Sequence, residues 1–123
     1  MKANGGCHCE AVRFEIETSS SQELVDCNCS ICSLSGYLHL FIAHGDFKLL
    51  KGKDDLSTYQ YGTKSAEHYF CKYCGIKSFY QPKSHPDCYS VHYKSLDEGH
   101  GIETSIKAFD GKNWNGGAFK LDD

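Results

Sequence analysis

Cysteine spacing constrains this chain more than any other feature. Seven of its eight cysteines fall into three tight clusters: Cys7-His8-Cys9, Cys27-Asn28-Cys29-Ser30-Ile31-Cys32 and Cys71-Lys72-Tyr73-Cys74-Gly75. Thiols spaced this closely serve metal binding or disulfides, and the redox compartment decides between them. The opening residues Met1-Lys2-Ala3-Asn4-Gly5-Gly6 lack the apolar core of a signal peptide. A reducing, cytoplasmic setting is therefore expected, and with it metal.

Each spacing has a geometric reason. Residues i and i+2 of a strand share a face, with Cβ atoms about 6–7 Å apart. Two sulfurs on one zinc, each about 2.3 Å from the metal, lie about 4 Å apart. Inward-leaning side chains close that gap, so Cys7 and Cys9 are expected to form a half-site on a strand. His8 would then point away from the metal. Cys71-x-x-Cys74 turns more tightly, and Gly75 accepts the positive φ that ends many metal knuckles. The two half-sites complete each other as one four-sulfur structural site. Cys27, Cys29 and Cys32 then remain as three donors within six residues. Zinc held by three protein ligands keeps a fourth position for water or substrate, the arrangement of catalytic sites. An external thiol bound there would be held as a thiolate, ready to attack an electrophile such as an aldehyde.

Other readings of the cysteines stay open. One four-cysteine site could stand beside a trio that is merely buried thiol, although C-x-C-x-x-C rarely arises for packing alone. Iron suits tetrahedral sulfur as well as zinc does. Cys88 stands apart after Pro86-Asp87. It is either a small buried apolar residue, the favoured reading, or a fourth ligand that would close the second site.

The remaining composition bounds the class. A length of 123 residues fits a single domain spanning residues 1–123. Lys plus Arg number 13 against 16 Asp plus Glu, a formal charge of −3, which argues against a nucleic-acid surface. Lys48, Lys51 and Lys53 are scattered, as on a solvated face. The longest apolar stretch, near residues 38–43, is far too short for a membrane span. Aromatic residues, at 13%, must supply much of the core.

Strand periodicity dominates. Val12, Phe14 and Ile16 alternate with Arg13, Glu15 and Glu17. Further strands are expected at residues 37–42, 47–50, 67–70 and 77–80, around Tyr59 and Tyr61, and at Tyr89, Val91 and Tyr93. Turns fall at His44-Gly45-Asp46, residues 51–55 and Gly62-Thr63-Lys64. Short helical turns fit residues 30–35 and 93–97, and the tail from Asp110 reads as irregular. The pattern predicts a mostly β domain of short antiparallel strands around zinc knuckles, with little helix.

Gly5-Gly6-Cys7-His8-Cys9, the trio, and Gly62-Thr63 leading to His68-Tyr69-Phe70-Cys71-Lys72-Tyr73-Cys74-Gly75 occur in the order of one family. Over about residues 5–114 the chain resembles the glutathione-dependent formaldehyde-activating enzymes. Tyr80-Gln81-Pro82-Lys83-Ser84, Leu96-Asp97 and Asp110-Gly111-Lys112-Asn113-Trp114 look most like the centromere protein V branch. The resemblance implies a β-tent fold with two zinc ions. It assigns Cys7, Cys9, Cys71 and Cys74 to a structural zinc, and Cys27, Cys29 and Cys32 to an exchangeable catalytic one. The implied activity is that of a carbon–sulfur lyase, joining formaldehyde and glutathione as S-hydroxymethylglutathione or reversing that step. The alternative it leaves is a non-catalytic, zinc-stabilised binding or scaffold module. The chain departs from the family in one respect. Ser33-Leu34-Ser35-Gly36 follows the trio where relatives often carry a basic residue.

Among other residues, His68 is expected to be packed or hydrogen-bonded rather than a proton relay. His39 is expected in the core or on the surface, with the edge of the second site as the alternative. Tyr37, Phe79, Tyr80 and Trp114 read as core rather than as walls of a cleft. The sequon Asn28-Cys29-Ser30 is expected to carry no meaning, with no secretion expected and Cys29 read as a ligand.

Overall fold

The computed structural model describes residues 1–113. Among the described residues ten strands form two sheets, and the mostly β expectation holds. The smaller sheet joins β1 (Lys2–Gly6), β2 (Arg13–Glu17) and β5 (Phe47–Lys51), all antiparallel. In β2 the alternation works as read, with Phe14 and Ile16 buried and Glu17 exposed. The larger sheet contains β3 (Ser21–Cys27), β4 (Leu38–Ala43), β6 (Leu56–Tyr59), β7 (Glu67–Cys71), β8 (Phe79–Gln81), β9 (Cys88–His92) and β10 (Glu103–Phe109). Their order across the sheet is β10-β3-β4-β9-β8-β7-β6.

One pair departs from the antiparallel expectation. β10 runs parallel to β3 in unbroken register, from Glu103 opposite Ser21 to Phe109 opposite Cys27. Its first six residues are exposed, so no buried alternation marks it as a strand in the sequence. β1 and β3 likewise escape the periodicity. Lys2-Ala3-Asn4-Gly5-Gly6 has little apolar side chain to alternate, and β3 buries the adjacent pair Leu24 and Val25.

Phenylalanine does much of the packing between the sheets. Phe14 of the small sheet stacks on Phe47 at 5.2 Å and meets Phe79 of the large sheet edge-on at 6.0 Å. Val12, Ile16, Leu40 and Val91 fill the space around them with no exposed surface. A bidentate pair between Arg13 and Asp97 and the amide of Asp97 on the Asn4 carbonyl, at 2.8 Å, fasten the small sheet to the chain after β9. Tyr37 and Tyr80 form a separate buried cluster with Ala66. Tyr37, Phe79 and Tyr80 are thus core residues, as expected; Trp114 lies outside the described residues. No helix among the described residues is long and apolar enough to cross a membrane.

Candidate metal centres

Two groups of cysteine sulfur assemble, each with its atoms within 4.8 Å of one another. The first gathers Cys7, Cys9, Cys71 and Cys74. Cys7 and Cys9 do not lie on a strand, as the spacing suggested; they occupy the hairpin turn between β1 and β2. The turn is the tighter solution. Glu10 takes a left-handed φ of 66°, and the Glu10 amide returns to the Cys7 carbonyl at 3.2 Å, bringing the two sulfurs to 3.7 Å. His8 is exposed and outside the sulfur group. On the other side, Cys71 ends β7, and the chain turns through Cys74 to Gly75, whose φ of 76° matches the expected knuckle. The amides of Val12 and Tyr73 donate to Cys7 and Cys71 sulfur at 3.3 and 3.4 Å. Cys9 and Cys71 sulfurs, 62 residues apart in sequence, stand 3.6 Å apart.

The second group gathers Cys27, Cys29 and Cys32. Cys27 closes β3, Cys29 caps the short helix α1 (Ser30–Ser35), and Cys32 lies within it. Cys29 sits in extended backbone (φ −60°, ψ 167°), and its sulfur takes the place of a capping oxygen, accepting the Cys32 amide at 3.4 Å. Gly36, left-handed at φ 64°, ends the helix. All three cysteines are 2% exposed or less.

Backbone amides and a histidine surround these sulfurs. The Cys29 amide reaches Cys27 sulfur at 3.4 Å. The Cys27 thiol is pulled down to about 3, first by the Cys29 and Cys32 thiols that donate to it, then by the amides of Cys29 and Gly111. The same sharing, led by Cys27, pushes the Cys32 and Cys29 thiols up. His39, with no exposed surface, places Nε2 3.2 Å from Cys32 sulfur, while Nδ1 lies 2.7 Å from the buried Ser90 hydroxyl. Burial, then the charge of Lys77, holds the imidazole down at about 3, so it is neutral. A neutral imidazole carries one N–H, so the ring donates in one of these two contacts and accepts in the other. His39 is therefore both a core residue and an edge of the second site.

The chain end of the described structure also reaches this site. Because β10 finishes beside Cys27, it delivers residues 110–113 onto the trio. The Asn28 side chain donates to Asp110 Oδ1 at 3.1 Å and accepts the Lys112 amide at 3.0 Å. Gly111 is buried, and a Cβ there would collide with Cys27 sulfur. Gly111 and Asn28 are site residues that the cysteine spacing does not reveal.

Cys88 lies elsewhere. It pairs with Ala43 at the far end of β4 from His39, four positions along the strand, or about 13 Å at strand rise. The structure thus removes Cys88 as a fourth ligand, and the favoured reading fits better, although Cys88 is only half-buried. His68 is buried and stacked on Tyr80 at 4.8 Å, with Nδ1 2.8 Å from Lys77 Nζ, as a packed and hydrogen-bonded histidine should be. Lys48, Lys51 and Lys53 are exposed.

A donor set made wholly of sulfur at these separations suits a thiophilic tetrahedral ion, zinc above all. A mostly β chain with two thiolate groups of this kind defines a small class of metal-binding proteins. A model of the glutathione-dependent formaldehyde-activating enzyme family matches residues 2–112, and the chain belongs to that family. It is 32% identical over 82 residues to a Halomonas elongata protein named as a glutathione-dependent formaldehyde-activating enzyme. That match covers 60% of this chain and 52% of the relative, so the chain spans about half the length of the curated relative. A crystal structure of a Rhodobacter sphaeroides protein superposes with a TM-score of 0.72 at 31% identity. The superposition covers 85% of this chain and 99% of that one.

Proposed function

We propose that this chain is a cytoplasmic, single-domain, zinc-dependent protein that acts like a carbon–sulfur lyase. It binds glutathione or its hydroxymethyl adduct at Cys27, Cys29 and Cys32. Cys7, Cys9, Cys71 and Cys74 hold a structural zinc in this reading, and the trio holds an exchangeable one. The observation that carries it is the difference between the two groups: four sulfurs in one, and in the other three sulfurs that no further Cys, His, Asp or Glu donor joins within 4.8 Å of all of them among the described residues. Family membership supplies the glutathione and formaldehyde chemistry.

Zinc at the trio would supply Lewis acidity that keeps a bound thiol ionised. The chain's own residues hold the site for it. The Cys29 and Gly111 amides stabilise negative charge on Cys27, and the Ser90–His39 pair fixes Cys32 through a hydrogen bond. His39 and Ser90 sit on β4 and β9, Cys29 caps α1, and Gly111 follows the end of β10, so the sulfurs are held from several elements at once.

The purified protein is expected to carry about two zinc ions, one removed by chelator without unfolding. Calorimetry on the zinc-loaded form should show glutathione binding at millimolar concentration. One tightly held ion, with Cys27, Cys29 and Cys32 all reactive to thiol reagents, would sink the two-site reading.

A non-catalytic scaffold is the second reading, and the burial of the trio beneath residues 110–113 favours it. The two part on rate. Glutathione binding without faster formation of S-hydroxymethylglutathione than in buffer selects the scaffold.

A further inference from the structure

β10 ends the large sheet, and among the described residues β3 is the one strand that pairs with it. An edge strand turns a row of backbone N–H and C=O groups outward. Proteins guard such edges with lysine or proline, with a bulge, or by keeping the strand short. An edge of the small sheet is guarded in this way: β5 carries Lys48 and Lys51, and its pairing with β2 shifts register between Arg13 and Phe14. β10 differs. It is seven residues long, contains no proline and keeps unbroken register with β3. Residues 103–108 are exposed on both faces, Ile106 at 61%. Parallel pairing is also slightly the less stable kind. One such ladder therefore holds the strand that brings Gly111 to Cys27 sulfur.

The side chains of β10 point to its own kind as partner. Glu103, Ser105, Lys107 and Phe109 share one face by strand alternation, the face on which Phe109 packs against the trio. A second copy laid antiparallel along the outer edge, with the two Ser105 residues opposite each other, sets Glu103 of each chain against the partner's Lys107. On the other face Thr104 meets the partner's Ile106, and the two isoleucines lie diagonally within reach of each other. Neighbouring registers do worse. Centring on Thr104 or Ile106 sets no Glu against a Lys, and centring on Glu103 or Lys107 brings like charges face to face.

We propose that two copies of this chain join by antiparallel pairing of β10 with β10, in the register centred on Ser105, so that the large sheet runs through both molecules. The contact is isologous, the self-complementary kind that a closed twofold dimer requires. Each copy then holds β10 along both of its edges and so steadies residues 110–113 over the trio of its own chain. The proposal is independent of what the trio binds.

Sedimentation equilibrium on the full chain tests it. Wild-type protein should dimerise in the micromolar range, as suits an interface at the small end of the specific class. Glu103→Lys and Lys107→Glu each place like charges opposite one another at both ends of the pairing, and each should weaken the dimer about tenfold. The double variant restores the opposite-charge pairs in reversed sense and should recover wild-type affinity. Both positions are exposed, and unchanged thermal melts would show that the fold is kept. Lys48→Glu on β5 should leave the dimer unchanged. A wild-type chain that stays monomeric at millimolar concentration, its edge met by something other than a second copy, overturns the proposal. So does a dimer that both single reversals leave intact, or a double variant no tighter than the single ones.

Discussion

A methyl group at Gly111 would drive into Cys27 sulfur and press on Cys29 Cβ at 3.3 Å. Backbone approaches a sulfur this closely where the amide N–H is needed there, and only glycine leaves room. The prediction is specific to one site. Gly111→Ala should lower zinc occupancy of the trio, or speed its loss to chelator, on the order of tenfold or more, as for other supports of metal ligands. The Cys7, Cys9, Cys71 and Cys74 group should keep its zinc, read as one remaining equivalent per chain. Loss of both ions, or of neither, would contradict the role given to Gly111. The ligand cysteines were legible because C-x-C and C-x-x-C are local patterns with a fixed geometric meaning. Gly111 was not, because what brings it to the trio is the register of β10 with β3, far apart in sequence. His39 was legible only as the less favoured edge of the second site, since spacing does not show the β3–β4 pairing that places it.

At the scale of elements, hydrophobic alternation found β2, which buries one face, and apolar residues marked β4 and β9, which bury adjacent residues on both faces. It missed β10, whose first six residues are exposed, and β1, whose backbone carries the pairing with small or polar side chains. β10 nevertheless matters most to the second site. A parallel strand in register with β3 ends where β3 ends, so residues 110–113 arrive beside Cys27 as a consequence of topology. The first half-site teaches a related lesson. Two cysteines spaced i, i+2 satisfy a metal from a strand or from a turn, and spacing cannot choose between them. The left-handed Glu10, a conformation rare outside glycine, is the local feature that makes the turn. Helix α1 was legible in extent, over Ser30–Ser35 up to Gly36, yet its thiol cap shows only in the backbone angles.

For the whole molecule, the eight cysteines resolve into four that tie the first hairpin to β7, three that build a site between β3 and α1, and Cys88 apart. A structural zinc contributes on the order of 10 kcal/mol to folding in small domains, which suits a core resting so heavily on phenylalanine and tyrosine. Buried histidines add a pH dependence. His68 and His92 are each held down at about 4, first by burial, with the charge of Lys77 acting in the same sense. Unfolded, each titrates near 6.5, so between those values the unfolded chain binds more protons than the folded one. Their contribution is fully present above about pH 6.5 and is lost as pH falls toward 4. Thermal melts should therefore drop across that window, and less steeply for His68→Gln or His92→Gln; identical slopes would refute the assignment. The central claim, that the trio holds a metal with one position open to a thiol, is tested most directly by cobalt substitution. Cobalt placed in the exchangeable site should gain sulfur-to-metal charge-transfer absorption as glutathione is added, reporting a fourth thiolate. A spectrum already typical of four sulfurs, and unchanged by glutathione, would contradict it.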